Sequence, residues 1–379
     1  PGVLASVPAL AHASRAQIIS LRQCSLHGRI VLSLIAEPSI ALEEGLHKLA
    51  RELSLECQTR PLDTSHQVFG AEGVSVTILG DLKNGAALAQ CTSLLLSEHL
   101  QLQEAKSLGN DSLKGIELLA TPTKGLKRAE FRELQRKVLQ LGTELGVDVA
   151  VQRDDIYRRN KRLLCMDVDS TFVQGEFIDD LAEMMNVKDE VAAITRRAMQ
   201  GELDFEEALR ERVKLLRGLS MAKARTLCET FTLTPGADEL VRTTKELGMK
   251  IGLVSGGFDF FVEALKEKYD LDFAFANELE VEDGMLTGEV IGTVVDPQRK
   301  AQVLKDMAHV FNIRLEQTIA AGDGANDIDM LQTAGLGIAY QAKPKLKEFS
   351  DTNFDHHDRL DTMLYLMGLD ADRFTQGCS

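Results

Sequence analysis

Short apolar runs bounded by polar turns alternate along this chain with amphipathic stretches of helical period, and the alternation changes character near Lys161. Before that point the pattern predicts a helix from Val3, strands near Ala16 to Ser25 and Arg29 to Ala36, a helix from Ala41 to Leu53 and a short strand from Leu55 to Thr59. A similar order recurs as strand Val74 to Leu79, helix Ala86 to Leu100, strands near Gln103 to Leu108 and Ile116 to Ala120, helix Arg128 to Leu145 and strand Val147 to Val151. Two degenerate copies of one small α+β unit explain the recurrence, with the polar stretch Pro61 to His66 as their junction.

After Lys161, short apolar strands precede helices, which predicts a Rossmann-like parallel sheet covered on both faces. The expected strands are Leu163 to Asp169, Lys250 to Ser255 and Thr318 to Ala321. Between the first two, residues from about Glu176 to Phe231 form a mostly helical stretch too long for an ordinary connection, so a cap is expected there. Asp283-Gly284, flanked by Asn277 to Glu282 and Met285 to Val290, signals a hairpin. The tail after Asp351 carries Phe354, Leu360, Met363 and Leu366 at roughly helical spacing and is expected to pack as a terminal helix. The domain division is thus 1–66, 67–155 and 160–379, with the cap at about 176–231.

Composition narrows the class. The 379 residues are 44% hydrophobic and 27% charged, with a net charge of -15. A field of that sign repels nucleic acid and anionic membrane, and no stretch has the roughly 18 apolar residues of a membrane span. Six cysteines lack CxxC or zinc-ligand spacing, so reduced thiols, a soluble chain and a cytoplasmic setting are expected, without a zinc site. The chain opens Pro1-Gly2-Val3 without a methionine or signal peptide, and a missing start is expected.

The candidate chemistry lies at strand ends. Leu163-Leu164-Cys165-Met166 runs into Asp167-Val168-Asp169-Ser170-Thr171, placing carboxylates at the edge where open α/β sheets bind ligands. A lone DxD is equally a solvated turn or helix cap. Ser255-Gly256-Gly257 follows a second strand, with a hydroxyl and unhindered amides suited to phosphate oxygens. Lys300, at the start of a predicted helix to Val310, can neutralise phosphate and nucleophile. Gly322-Asp323-Gly324-Ala325-Asn326-Asp327 again sets acids just past a buried strand, in an oxygen-only pattern that suits magnesium. Taken singly, each segment has an ordinary structural reading.

Together and in this order, from about Lys161 to Asp351, they resemble the haloacid dehalogenase superfamily of phosphohydrolases. That resemblance implies Asp167 as nucleophile forming an aspartyl phosphate, and Asp169 as the acid that protonates the leaving alcohol and then deprotonates water. It implies Mg2+ held by the Asp167 side chain, the Asp169 carbonyl and the Asp323 side chain, with Asp327 in support. Ser255, Gly256, Lys300 and Asn326 would bind the phosphoryl group.

The cap bears on substrate. On a helix from Leu203 to Leu216, Arg212 falls in the middle of the apolar face formed by Phe205, Ala208, Leu209, Val213 and Leu216. A guanidinium there needs an anion, either a protein carboxylate or a ligand. Glu176, which opens the cap beside the acids, is the complementary feature, although helix N-termini commonly carry glutamate. The pair suits a zwitterion bearing a phosphate. With Glu176, Ile178-Asp179, Met199, Phe205, Arg212 and Val254-Ser255-Gly256-Gly257-Phe258, the segment is similar to phosphoserine phosphatases in particular. By that likeness Glu176 receives the substrate ammonium, Arg212 its carboxylate, and Met199 and Phe205 pack over O-phospho-L-serine. Phe172 and Phe177 depart modestly from the family pattern.

The N-terminal units look like ACT modules, βαββαβ folds that bind amino acids and pair across subunits, the first lacking its initial strand. This likeness implies a homodimer regulated by L-serine and a place in serine biosynthesis. Two alternatives remain: a phosphatase of the same superfamily acting on a phosphosugar, phosphohomoserine or phosphoprotein, and a non-catalytic amino-acid sensor.

Overall fold

The structure, a computed structural model, describes residues 3–26, 29–61, 73–82, 85–108 and 115–369. The chain divides into two compact units, Pro1–Gln67 and Val68–Ser379. In the first, helix α1 (Val3–Ala13) precedes an antiparallel pair, β1 (Ile18–Leu26) and β2 (Arg29–Ala36), and helix α2 (Ile40–Glu52). Ser39 caps α2 by accepting the Leu42 N–H. The strand expected from Leu55 to Thr59 does not form: Leu55 is exposed, and among the described residues the β1–β2 pair has no third neighbour in its ladder. The expected junction, Pro61 to His66, lies outside the described residues beyond Pro61.

The second unit opens with β3 (Gly73–Leu79), α3 (Ala86–Ser97), β4 (Leu100–Ser107), β5 (Gly115–Pro122), α4 (Arg128–Leu145) and β6 (Asp148–Asp154), a β-α-β-β-α-β order. Helix α3 stops at Ser97 rather than Leu100, because His99 turns into left-handed backbone and Leu100 starts the next strand. Helix α4 runs as expected and ends at Gly146, whose φ of 67° is the usual left-handed cap.

Next comes β7 (Leu163–Met166), the cap helices α5 (Phe177–Met184), α6 (Lys188–Met199), α7 (Phe205–Lys214) and α8 (Met221–Leu227), then α9 (Ala237–Glu246) and β8 (Lys250–Phe258). Helix α10 (Asp259–Tyr269), β9 (Phe273–Glu282), β10 (Met285–Ile291), α11 (Pro297–Val310) and β11 (Thr318–Gly322) follow. The described chain closes with α12 (Ile328–Thr333), β12 (Gly337–Tyr340), α13 (Pro344–Lys347), β13 (Thr352–Phe354) and a 3₁₀ helix, Leu360–Met367. The expected terminal helix from Phe354 is therefore a short strand and a 3₁₀ turn, since Phe354 is taken into the sheet.

Strand β7 is buried on both sides: Leu163 and Cys165 join one core cluster, and Leu164 and Met166 the other. It pairs in parallel with β8 on one side and β11 on the other, so the carboxyl ends of the three strands open on one edge. It ends at Met166, not Asp169, because the chain turns sharply through Val168–Phe172 with Ser170 in left-handed backbone. The β9–β10 hairpin forms at Asp283-Gly284, both with positive φ, as a type I′ turn requires.

One feature had no signal in the sequence. β13 pairs in parallel with β12 and antiparallel with β6, so eleven strands of this unit run as one sheet, β10-β9-β8-β7-β11-β12-β13-β6-β3-β5-β4. Side chains reinforce the join. The buried Asp148 carboxylate accepts the backbone N–H groups of Asp355, His356 and His357 at 2.8–3.2 Å and meets His357 Nδ1 at 2.7 Å. Gln152 donates to the Leu366 carbonyl at 2.9 Å, and Thr352 to that of Val149 at 2.9 Å. The segment between β6 and β7 is pinned by the buried Arg158, which pairs with the buried Glu117 at 2.6 Å and with Asp154 at 3.1 Å. Among the described residues, no helix is long and apolar enough to cross a membrane.

Candidate active site

The sharp turn after β7 brings its two acids into different surroundings. Asp167 is buried; its Oδ1 accepts the Val168 N–H at 2.8 Å and lies 2.8 Å from Lys300 Nζ. Its own N–H donates to the Ala321 carbonyl at 2.9 Å, tying it to the neighbouring β11. Asp169 Oδ1 accepts the Phe177 N–H at 2.8 Å, and Oδ2 accepts the Ser255 hydroxyl at 3.2 Å. Burial outweighs these bonds and pushes the Asp169 carboxyl up to about 6. A carboxyl so placed carries a proton part of the time near neutrality, as an acid–base group must.

Ser255 ends the buried stretch of β8, and its Oγ also accepts the Gly257 N–H at 2.8 Å. The buried Asn277 fixes Gly256 from below, donating to its carbonyl at 2.9 Å while accepting the Val295 N–H at 2.7 Å. A side chain at Gly256 would put its Cβ 2.8 Å from the Phe205 ring, so glycine there lets the cap approach the strand end. Asn277 was not anticipated; an Asn inside a strand beside a hairpin carries no motif.

Lys300 is fully buried on α11, a helix capped by Asp296 and started by Pro297. Burial alone would lower its pKa, but Asp167 at 2.8 Å and Asp327 at 2.7 Å outweigh it and keep the ammonium charged. Asp327 spends its other oxygen on the Gly324 N–H at 3.1 Å, and burial raises its pKa to about 7. Burial likewise raises that of Asp323. Oxygens of Asp167, Asp323 and Asp327 lie within 4.8 Å of one another. Three buried acids that meet Lys300 within and the half-exposed Lys343 at the rim are still short of positive charge, and an all-oxygen set of this kind fits a hard divalent cation. Asn326 is half-buried on the same turn, its Oδ1 over Gly324.

Glu176 and Arg212 face the acids from the cap side. Glu176 makes one long contact, 3.4 Å from Ser170 Oγ, and burial raises its pKa to about 8. Arg212 donates Nε to the Ala208 carbonyl at 3.2 Å on its own helix. Burial lowers its pKa; Glu176, Asp179 and Asp169 oppose this electrostatically, yet among the described residues no carboxylate comes within ion-pair distance. Phe205 packs over Gly256, whereas Met199 is 75% exposed at the end of α6 and stands outside the cluster. Phe172 and Phe177 fill the core, Phe177 stacked on Phe261 at 3.9 Å. Lys343, which no motif marked, lies 3.1 Å from Asp323 Oδ2.

Residues 164–332 match the family model of haloacid dehalogenase-like hydrolases. The phosphoserine phosphatase of Streptomyces coelicolor is 38% identical, over 97% of this chain and 90% of its own. Phosphoserine phosphatase SerB2 of Mycobacterium tuberculosis is 35% identical over the same shares. A haloacid dehalogenase family hydrolase from Salmonella enterica superposes with a TM-score of 0.67 at 30% identity, covering 78% of this chain and 98% of that one. With such similarity along nearly its whole length, the chain belongs to the phosphoserine phosphatase family of haloacid dehalogenase-like hydrolases and is an enzyme, a phosphoric monoester hydrolase.

Proposed function

We propose that this enzyme hydrolyses O-phospho-L-serine to L-serine and phosphate through a phosphoaspartyl intermediate on Asp167, with Mg2+ as its metal. The observation that carries the substrate is Arg212: a mostly buried guanidinium that has no carboxylate at ion-pair distance among the described residues, facing the same acids as a poorly partnered Glu176. The names of the relatives agree with that reading.

In this mechanism Arg212 takes the substrate carboxylate and Glu176 its ammonium, which turns the phosphate toward the end of β7. Asp167 attacks phosphorus while Asp169 passes its proton to the departing serine oxygen. Asp169, now a carboxylate, takes a proton from water, and the hydroxide formed attacks the phosphoaspartate, releasing phosphate and restoring Asp167. Ser255, the Gly256 amide, Lys300 and Asn326 hold the phosphoryl oxygens. Asp167, Asp323 and the Asp169 carbonyl would hold Mg2+, which when bound neutralises phosphate charge, and Asp327 holds Lys300 in place.

The N-terminal half is read as ACT-type modules with a boundary near residue 67, through which L-serine regulates a homodimeric enzyme of the cytoplasm. The β-α-β-β-α-β order from β3 to β6 supports this. The test is phosphate release from a panel of monoesters, with and without Mg2+ and L-serine, in the native chain and Asp167→Asn. Selective, metal-dependent turnover of phosphoserine, lost in the variant and altered by serine, is expected. Broad Asp167-dependent activity would overturn the substrate, and indifference to serine the regulation.

A further inference from the structure

Among the described residues, two ammonium groups touch the acid cluster, and they differ in freedom. Lys300 is fully buried between Asp167 and Asp327, and moving it would strip both buried carboxylates of an ammonium at 2.8 and 2.7 Å. Lys343 reaches Asp323 from the outside: its side chain is 55% exposed, and that of Asp323 only 9%. Its backbone is anchored, because the Lys343 N–H donates to the Asp323 carbonyl at 2.9 Å and Pro344 starts α13 directly after it. The side chain can therefore swing while its root stays beside the site.

We infer that Lys343 competes with the divalent cation for the Asp323 carboxylate and so sets how tightly the enzyme holds its metal. The inference rests on the magnesium reading above. Asp323 Oδ2 has the Lys343 ammonium at 3.1 Å, and the same ammonium feels Glu176 and Asp167 electrostatically. A cation shared by Asp167 and Asp323 must displace that ion pair and then bear a like charge a few ångströms away. An exposed ion pair is weak, so displacement is easy, but the repulsion adds to it. Removing the charge should tighten divalent-cation binding about tenfold. Lys343 is thus a positioning residue that trades metal affinity for ready exchange.

The test is Mn2+ binding to the full chain, followed by the electron paramagnetic resonance signal of free Mn2+, in the native enzyme, Lys343→Gln, Lys343→Arg and Asp323→Asn. Expected are a roughly tenfold lower Kd for Lys343→Gln, a value within about threefold of native for Lys343→Arg, and a Kd at least roughly tenfold higher for Asp323→Asn. If Asp323→Asn weakens binding but Lys343→Gln leaves it unchanged or weaker, the competition is refuted and the metal site stands. If Asp323→Asn has no effect, both fall.

Discussion

Replacing Arg212 by alanine separates recognition of the substrate's carboxylate from the phosphoryl chemistry. The guanidinium is mostly buried, and among the described residues it bonds only the Ala208 carbonyl of its own helix and has no ion pair to offset the burial that lowers its pKa. A substrate carboxylate arriving there meets a charge already stripped of water, so the contact belongs with buried charged hydrogen bonds, whose loss costs about 2–5 kcal/mol. Taking about 3 kcal/mol, and 1.4 kcal/mol per factor of ten, kcat/KM for phosphoserine should fall roughly 100-fold. For an ester such as p-nitrophenyl phosphate, which has no carboxylate, the change should stay within about threefold, because Asp167, Lys300 and Ser255 are untouched. Phosphate release from both esters measures the ratio, and a matching thermal midpoint shows that the cap still folds. An equal fall for the two esters would refute the assignment of Arg212 and leave it a structural residue of the cap.

Two further perturbations probe the scaffold. Asp148→Ala removes the acceptor shared by three successive backbone N–H groups at the β6–β13 join and should cost roughly 2–4 kcal/mol in urea unfolding, Asp148→Asn clearly less; a loss below about 1 kcal/mol would show that water replaces the carboxylate. Lys161 is buried with its Nζ on the Glu316 carbonyl at 2.8 Å, and burial lowers its pKa from 10.5 to about 8. Between those values the unfolded chain binds more protons than the folded one, so this residue's contribution makes stability rise with pH there. Lys161→Met should flatten that rise and stabilise the chain at pH 7 by up to about 3 kcal/mol in denaturant titrations; a pH profile parallel to the native one would contradict it.

The core of the site was legible because its acids follow apolar runs short enough to suit buried strands: Leu163 to Met166 before Asp167, and Thr318 to Gly322 before Asp323. The misplaced end of β7 shows the limit of that logic, since Asp169 continues the alternation but its backbone turns to serve Phe177. The Leu55 to Thr59 segment failed for the opposite reason: it has a strand's composition but, among the described residues, no neighbour to pair with. Pairing of β6 with β13 joins residues some two hundred positions apart through a three-residue strand, too short for any periodic signal. Lys343 meets Asp323 and Asn277 meets Gly256 only where the fold brings distant segments together, and neither residue stands in a pattern that singles it out.

The shared sheet also decides how this protein can be divided. In most multidomain enzymes a cut in the linker frees two parts with finished surfaces. Here a cut between Asp154 and Leu163, followed by loss of the N-terminal part, would strip β13 of one neighbour and bare its backbone N–H and C=O groups beside the apolar Phe354. An edge of that kind invites a strand from another molecule. Trimming to the hydrolase half would therefore leave a sticky edge at β13, unless that edge were blunted by a charge or a proline.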